Sequence, residues 1–114
     1  MHELSIALSI VESAEEAALN NGASVISKVE VEIGTMAGVE TDALLFAWDS
    51  VIQNTMAQNA PLIIHTIRAE AKCLECGKDF PIDNYFTECP QCKSFRYQVT
   101  RGRELKVSSL TIDS

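Results

Sequence analysis

The chain has 114 residues, 46% of them hydrophobic, and a formal net charge of −7. This length suits one domain with a small appendage, and the acidic balance argues against a general nucleic-acid-binding protein. The charge is uneven, because residues 1–60 hold nine acids and one base, whereas residues 61–114 hold eight bases and seven acids. We therefore expect an acidic body, with a short basic stretch at 93–106 that suits an acidic partner.

The sequence carries no recognisable signal for export or membrane insertion. Its N-terminus has no basic region, and glutamates interrupt the apolar run that begins at Leu4. No apolar stretch approaches the roughly 20 residues of a transmembrane helix. We expect a cytoplasmic protein that does not enter membranes and whose thiols are reduced.

The first predicted elements are a helix and a strand. Apolar residues recur at helical spacing over residues 4–20, and the expected buried face is Leu4, Leu8, Val11, Ala14 and Ala18. Gly22 follows, and glycine accepts the left-handed conformation that commonly ends a helix. Residues 25–33 alternate as a strand, whose expected buried face is Val25, Val29, Val31 and Ile33.

A second helix is predicted over residues 42–57, with Thr41 as its cap and Asp42 well placed in its first turn. Its expected buried stripe is Leu44, Trp48 and Val51, with Leu45 and Ile52 beside them. Further strands are predicted over residues 62–71 and 103–112. In the last strand the apolar alternation changes phase near Ser108 and Ser109, which predicts a bulge.

The order of these elements predicts an α+β fold. A three-stranded sheet with two helices is interrupted by a four-cysteine, zinc-ribbon-like domain inserted before the last strand. We assign residues 1–72 and 100–114 to the α/β domain and residues 73–99 to the zinc-binding domain.

The four cysteines form two CxxC pairs, Cys73 with Cys76 and Cys89 with Cys92. A CxxC turn sets two thiolates on one side of the chain, and Gly77 suits the left-handed residue that such a turn needs. Two facing turns supply the tetrahedral thiolate shell that zinc prefers, and a closed shell leaves no position for catalysis. We expect structural zinc. A thioredoxin-like pair, a labile disulfide and an iron–sulfur cluster are the alternatives.

The chain opens with Met1, His2 and Glu3. If Met1 is retained, its amine, the His2 backbone nitrogen and the His2 imidazole form adjacent chelate rings, and Ni(II) and Cu(II) favour planar sites rich in nitrogen. The spacing alone favours an ordinary terminal histidine. By themselves, Glu40 is an acid at a helix start and His65 is a packed or exposed strand residue.

Together these motifs resemble the HypA/HybF family of hydrogenase maturation factors, which are small nickel metallochaperones. The resemblance rests on MHELS, on IGTMAGVE at the end of the first strand, on CLEC and CPQC, and on the closing ELKVSSLTID, and it covers essentially all 114 residues. It implies nickel carried by His2 with backbone nitrogen of the first residues, and it sets the acidic position of the family at Glu40. It also implies zinc at the four cysteines and a free, short N-terminus.

The resemblance implies a function and partners as well. The chain is expected to bind Ni(II) at its N-terminus and deliver it during maturation of nickel–iron hydrogenase, with Glu3 and Glu40 as further candidate ligands. A HypB-type nickel GTPase and the hydrogenase large subunit are the expected partners, and some members also serve urease. Such a protein is a carrier, and no nucleophile–base pair that would indicate an enzyme is apparent.

The alternative is a zinc-ribbon adaptor that binds nucleic acid or a protein partner. An adaptor of nucleic acid would bind phosphate through four basic side chains, Arg96, Arg101, Arg103 and Lys106. A zinc-stabilised interaction module without a second metal is a further possibility. Zinc bound at one site per chain and indifference to blocking of the N-terminus would identify it.

Overall fold

The structure, a computed structural model, describes residues 2–114. In chain order its elements are α1 (Glu3–Asn20), β1 (Val25–Gly34), α2 (Thr41–Val51), β2 (Leu62–Ile67), β3 (Glu70–Cys73), β4 (Asp79–Pro81), β5 (Tyr97–Arg101) and β6 (Leu105–Asp113). The strands form two three-stranded sheets, in the orders β2-β1-β6 and β4-β3-β5. Neither α1 nor α2 is both long and apolar enough to cross a bilayer.

The described residues form two compact units. The helical unit contains residues 2–32, 39–65 and 106–114, and the cysteine unit contains residues 33–38 and 66–105. The cysteine unit is broader than the segment 73–99, because β3 and β5 extend its sheet beyond the cysteines at both ends. The domain boundaries drawn from the sequence remain a prediction.

Helix α1 confirms the first predicted helix but buries a different face. Its buried residues are Ile6, Ala7, Ile10, Val11, Ala14 and Ala18. The prediction for Leu4 and Leu8 is wrong, since their side chains are 54% and 46% exposed. The first turns of α1 carry apolar residues on every side, so more than one face of the helix fits a helical spacing. The face that packs is the one that continues to Ala14. Gly22 has a φ of +70°, as predicted.

Strand β1 confirms the predicted strand, with one correction at its start. Val29, Val31 and Ile33 are buried as expected. Val25 is 47% exposed, and its neighbour Ile26 is 1% exposed and takes the inward position. Ile26 and Val29 are three positions apart, so the alternation of buried and exposed residues changes phase between them. The prediction that Val25 is buried is therefore wrong.

Helix α2 begins one residue earlier than predicted and ends sooner. Glu40, rather than Thr41, is the N-cap residue. The helix ends at Val51 rather than at residue 57, and Asn54 beyond it has a left-handed φ of +63° that a continuing helix excludes. The indole N–H of Trp48 donates to the backbone carbonyl of Ala60, just before β2, at 2.8 Å.

The buried face of α2 is narrower than the predicted stripe. Leu44, Trp48 and Ile52 are buried, as expected. Val51 is half-buried, and Leu45 is 41% exposed. Leu45 therefore lies on the solvent side of the helix rather than within its packed face.

The predicted strand 62–71 is in fact two strands in different sheets. β2 lies beside β1, whereas β3 lies between β4 and β5. The change occurs at Ala69, whose N–H donates to Thr35 Oγ1 at 3.0 Å and whose carbonyl accepts the N–H of Ile82 at 3.1 Å. An uninterrupted apolar pattern does not reveal such a change of partners, so the second sheet is absent from the predicted architecture.

The cysteine unit has its own small core. Strand β3 pairs antiparallel with both neighbours, and Ala71 lies opposite Phe80 and Val99. The buried residues of this core are Ala69, Ala71, Cys73, Phe80, Ile82 and Cys89. Tyr97 packs edge-on against Phe80, with 5.5 Å between ring centroids. Two of the six buried residues are therefore cysteines.

The closing strand is confirmed as β6. Val107, Leu110 and Ile112 are half-buried, whereas Ser108 and Ser109 are both exposed. The alternation therefore changes phase at the two serines, where the sequence predicts it.

Candidate metal centre

The four cysteines converge in the cysteine unit. Their Sγ atoms all lie within 4.8 Å of one another, and within residues 2–114 they are the only group of three or more potential metal ligands that converges in this way. The closest approaches link the two turns, with 3.5 Å between Cys73 and Cys92 and 3.6 Å between Cys76 and Cys89. The first cysteine of each pair is buried and the second is exposed.

The two CxxC turns share one backbone hydrogen-bond pattern. In each turn the N–H of the first cysteine donates to the carbonyl five residues on, and its own carbonyl accepts the N–H four residues on. These bonds join Cys73 to Lys78 (2.9 Å) and Gly77 (3.0 Å), and likewise Cys89 to Ser94 (2.9 Å) and Lys93 (2.9 Å). The sequence therefore builds the same turn twice.

Each turn also ends on a left-handed residue. Gly77 has a φ of +79°, which confirms its predicted role, and Lys93 occupies the equivalent position with a φ of +65°. Lys93 was not predicted, because glycine is the residue that ordinarily marks this conformation. Aligning the two residues after CLEC with the two after CPQC would have identified it.

Backbone amides stabilise negative charge on the buried sulfurs. The N–H of Cys76 points at Cys73 Sγ, 3.5 Å away, and this contact is the main cause of the lowered pKa of Cys73. Burial opposes ionisation of Cys89, but the amides of Cys92 and Gln91 and the nearby thiols bring its pKa down to about 6. The two buried cysteines are therefore ready thiolate donors.

The two exposed cysteines behave in the opposite way. The amide of Ser94 favours the Cys92 thiolate, but desolvation and the three neighbouring sulfurs outweigh it and raise the Cys92 pKa to about 12. The pKa of Cys76 is also raised, since desolvation and the thiols of Cys89 and Cys73 outweigh the amide of Lys78 and the thiol of Cys92. Four thiolates this close repel one another, so full ionisation requires a cation among them.

This donor set fits zinc. Zinc binds thiolates at about 2.3 Å in a tetrahedron, which places the sulfurs about 3.8 Å apart. The contacts of 3.5 and 3.6 Å between the turns are close to that spacing. The cluster of reduced thiols is therefore shaped for a structural four-cysteine zinc site.

The predicted nickel residues lie in the helical unit, with His2 and Glu3 at the start of α1 and Glu40 at the start of α2. His2 is exposed and is the N-cap residue of α1, and its carbonyl accepts the N–H of Ile6 at 3.2 Å. The Glu3 carboxylate accepts the backbone N–H of Glu40 at 3.1 Å, and this bond is the main cause of the lowered pKa of Glu3. The structure thus joins Glu3 to Glu40, whereas the predicted Met1 amine lies outside the described residues.

The second histidine belongs to a different surface. His65 Nε2 lies 2.9 Å from Glu30 Oε1 on exposed strand residues, and this contact is the main cause of the lowered pKa of Glu30. Lys28 lies 3.8 Å from the same carboxylate. His65 is thus an exposed strand residue with an acidic neighbour, one of the two states expected from the sequence.

Every residue of the basic stretch has a partner. Four of the five pair with acids: Lys93 with Glu88, Arg96 with Glu75, Arg101 with Glu70 and Lys106 with Glu32. The fifth, Arg103, donates to Tyr85 Oη from Nε at 2.9 Å and Nη2 at 2.6 Å. This pairing disfavours the nucleic-acid adaptor, which requires basic side chains directed at phosphate.

A fold of two helices and two three-stranded sheets, with four converging cysteines, is that of a small metal-binding protein. A family model described as "Hydrogenase/urease nickel incorporation, metallochaperone, hypA" matches residues 1–112. The chain therefore belongs to the HypA family. Its members are nickel metallochaperones of hydrogenase maturation, so the metallochaperone interpretation is confirmed over the adaptor.

Relatives and solved structures agree with this assignment. The hydrogenase maturation factor HypA of Parabacteroides distasonis is 46% identical over 112 residues, which is 98% of this chain and 97% of the relative. The factor of the same name from Chlorobaculum parvum is 38% identical, over 99% of this chain and all of the relative. The solution structure of the Ni metallochaperone HypA from Helicobacter pylori matches with a TM-score of 0.73 and 27% identity, over 100% of this chain and 99% of that one.

Proposed function

We propose that this chain carries Ni(II) at His2, with backbone nitrogens of the first residues as further ligands, and delivers it during maturation of nickel–iron hydrogenase. The observation that carries the proposal is an exposed histidine at the start of α1, beside the contact between Glu3 and Glu40. The first N–H groups of a helix have no acceptor within it, so these nitrogens are available to a metal that displaces their protons.

Glu3 and Glu40 have supporting roles in this proposal. The bond from the Glu40 amide to the Glu3 carboxylate fixes the first turns of α1 and α2 together, at 3.1 Å. The carboxylate of Glu3, the next residue after His2, and the acidic side chain of Glu40 favour a divalent cation electrostatically. A site at an exposed helix start also suits the loading and release that a carrier requires.

Zinc has a structural role and is held by Cys73, Cys76, Cys89 and Cys92. When bound, it supplies positive charge that permits four thiolates to coexist and links the two CxxC turns. The main support is the convergence of all four Sγ atoms within 4.8 Å. We further propose that the chain is a carrier and not an enzyme, because a closed thiolate shell leaves the zinc no position for a substrate.

We propose that this carrier works in the cytoplasm with a HypB-type nickel GTPase and the large subunit of nickel–iron hydrogenase. The matching family description names nickel incorporation into both hydrogenase and urease, which supports transfer of the metal to another protein. Urease maturation is a further destination that the same family description includes.

The test is metal content per chain, measured by elemental analysis after nickel loading and desalting. The untagged parent is compared with His2→Ala and with His65→Ala, the matched control at the second histidine. We expect equal zinc in all three, with nickel retained by the parent and by His65→Ala and lost from His2→Ala.

A His2→Ala variant that retains as much nickel as the parent would exclude the proposed site. Equal loss from His2→Ala and His65→Ala would indicate nonspecific binding to imidazoles. Nickel binding should also weaken as the solution is acidified, because protons compete with the metal for the ligand nitrogens.

A further inference from the structure

The solvent-facing sides of α1 and α2 carry large apolar side chains. Leu4 and Leu8 on α1 are 54% and 46% exposed, and Leu45 and Phe46 on α2 are 41% and 82% exposed. We call these four residues the helix-pair patch. Scattered exposed leucines are ordinary, but a phenylalanine with 82% of its surface in water, on a helix packed against a second helix that exposes two leucines, marks an interaction surface.

The patch lies at one end of the helix pair. α1 and α2 pack against each other, and the bond from the Glu40 amide to the Glu3 carboxylate joins their first turns. Leu4 and Leu8 belong to the first two turns of α1, and Phe46 belongs to the second turn of α2. All four residues of the patch therefore lie near the end of the unit at which His2 begins α1.

The border of the patch is acidic. Asp42 and Asp49 lie one turn before and one turn after Phe46, and Glu12 lies one turn after Leu8. Neither helix contains a lysine or an arginine, and residues 2–32, 39–65 and 106–114 together hold ten acids and two bases. Both bases, Lys28 and Lys106, contact glutamates of β1. A complementary surface must therefore be apolar at its centre and basic at its rim.

We propose that the helix-pair patch docks a partner protein that presents an apolar pocket rimmed by lysine and arginine, and that Phe46 is its anchor. This inference rests on the proposed function, because docking there brings the partner to the nickel carried by His2. A second copy of this chain is the less suitable occupant, since it would bring two acidic surfaces together. An aromatic side chain on a regular helix loses little conformational freedom on burial, and such residues dominate binding energies.

Two purified proteins, the partners proposed above, serve as probes: the HypB-type GTPase and the metal-free hydrogenase large subunit. Dissociation constants are measured at low and high salt for the parent, for Phe46→Ala and for the double variant Asp42→Asn with Asp49→Asn. Leu19→Ala and Phe86→Ala are the matched controls, because Leu19 is 66% exposed at the far end of α1 and Phe86 is 88% exposed in the cysteine unit. Circular dichroism checks that each variant keeps its helices.

We expect Phe46→Ala to weaken binding of at least one probe by about tenfold or more, as loss of an aromatic anchor does. The double variant should weaken binding at low salt and flatten its salt dependence. Leu19→Ala and Phe86→Ala should leave the dissociation constant within about twofold of the parent value.

The proposal is overturned if the parent binds neither probe, if Phe46→Ala binds as the parent does, or if the controls weaken binding equally. It is also overturned if the parent self-associates and Phe46→Ala abolishes that association, since a second copy is then the occupant. Measuring the nickel content of the same variants distinguishes failure of the docking proposal from failure of the proposed nickel site. Phe46→Ala should retain nickel, whereas failure of the His2→Ala test would refute the nickel site and leave the docking measurement valid.

Discussion

At the scale of single residues, Lys93 occupies a position that glycine fills in the equivalent turn. Its φ of +65° corresponds to +79° at Gly77. A left-handed conformation costs a residue with a Cβ roughly 1–2 kcal/mol, and glycine avoids most of that cost. The ion pair between Lys93 and Glu88 spans 3.9 Å between exposed side chains, and such pairs contribute little.

Lys93→Gly should therefore stabilise the zinc-loaded cysteine unit by about 0.5–1 kcal/mol. The reciprocal change, Gly77→Lys, should destabilise it by about 1 kcal/mol, because a Cβ at Gly77 meets no atom within 4 Å and only the backbone conformation opposes it. Urea unfolding of the zinc-loaded protein, followed by Tyr97 resonances, measures both. Destabilisation by Lys93→Gly would contradict the argument.

Some features of individual residues can be predicted from the sequence. The spacing of the CxxC pairs predicts that the four cysteines converge, and Gly77 is predictable because one backbone conformation demands it. Lys93 is not predictable from residue preference, since the hydrogen-bond geometry that the two turns share overrides an unfavourable side chain. Which apolar side chains of a helix are buried is harder still to predict, because Leu4 and Leu8 fit the helical period as well as the residues that are actually buried.

At the scale of elements, the start of α2 depends on a side chain from α1. The Glu40 N–H lies at the N-cap of α2 and donates to the Glu3 carboxylate, so the acceptor for this helix start comes from another helix. Both acids are recognisable in the sequence but their contact is not, because capping patterns describe residues within one helix. The second sheet could not be predicted either, because it pairs β3 with β5, and these strands lie at opposite ends of the cysteine segment in the sequence.

Glu3→Ala should destabilise the metal-free protein more than Glu3→Gln does, because glutamine retains an oxygen acceptor for the Glu40 amide. Thermal unfolding monitored by helical circular dichroism measures the difference. Glu12→Ala is the control, since it removes an exposed acid from the same helix. Equal effects of Glu3→Ala and Glu12→Ala would contradict a specific role for the contact.

The same contact predicts a pH dependence. The folded-state pKa of Glu3 lies below its ordinary value of 4.5, chiefly because the Glu40 amide donates to it. The carboxylate therefore stabilises the folded state above that value, and this contribution disappears as pH falls through the lowered pKa. The difference in stability between the parent and Glu3→Ala should accordingly be constant near neutrality and shrink below pH 4.5.

At the scale of the whole molecule, the two units differ in what stabilises them. The helical unit buries large aliphatic and aromatic side chains, including Ile26, Val29, Leu44 and Trp48. The core of the cysteine unit has six buried residues, of which two are alanines and two are cysteines of the metal cluster. So small an apolar core requires a metal to remain folded, because binding of the metal is then part of the folding free energy.

Removal of zinc should therefore unfold the cysteine unit and leave the helices formed. A strong chelator under reducing conditions should collapse the dispersed resonances of Phe80 and Tyr97, whereas helical circular dichroism and the resonance of the buried Trp48 indole should persist. Cys89→Ser should give the same result without a chelator, and His2→Ala should not, because His2 lies in the helical unit. Simultaneous loss of both sets of signals would mean that the helical unit also depends on zinc. Persistence of both would mean that the apolar core of the cysteine unit suffices without the metal, which would contradict the argument that zinc binding is part of its folding free energy.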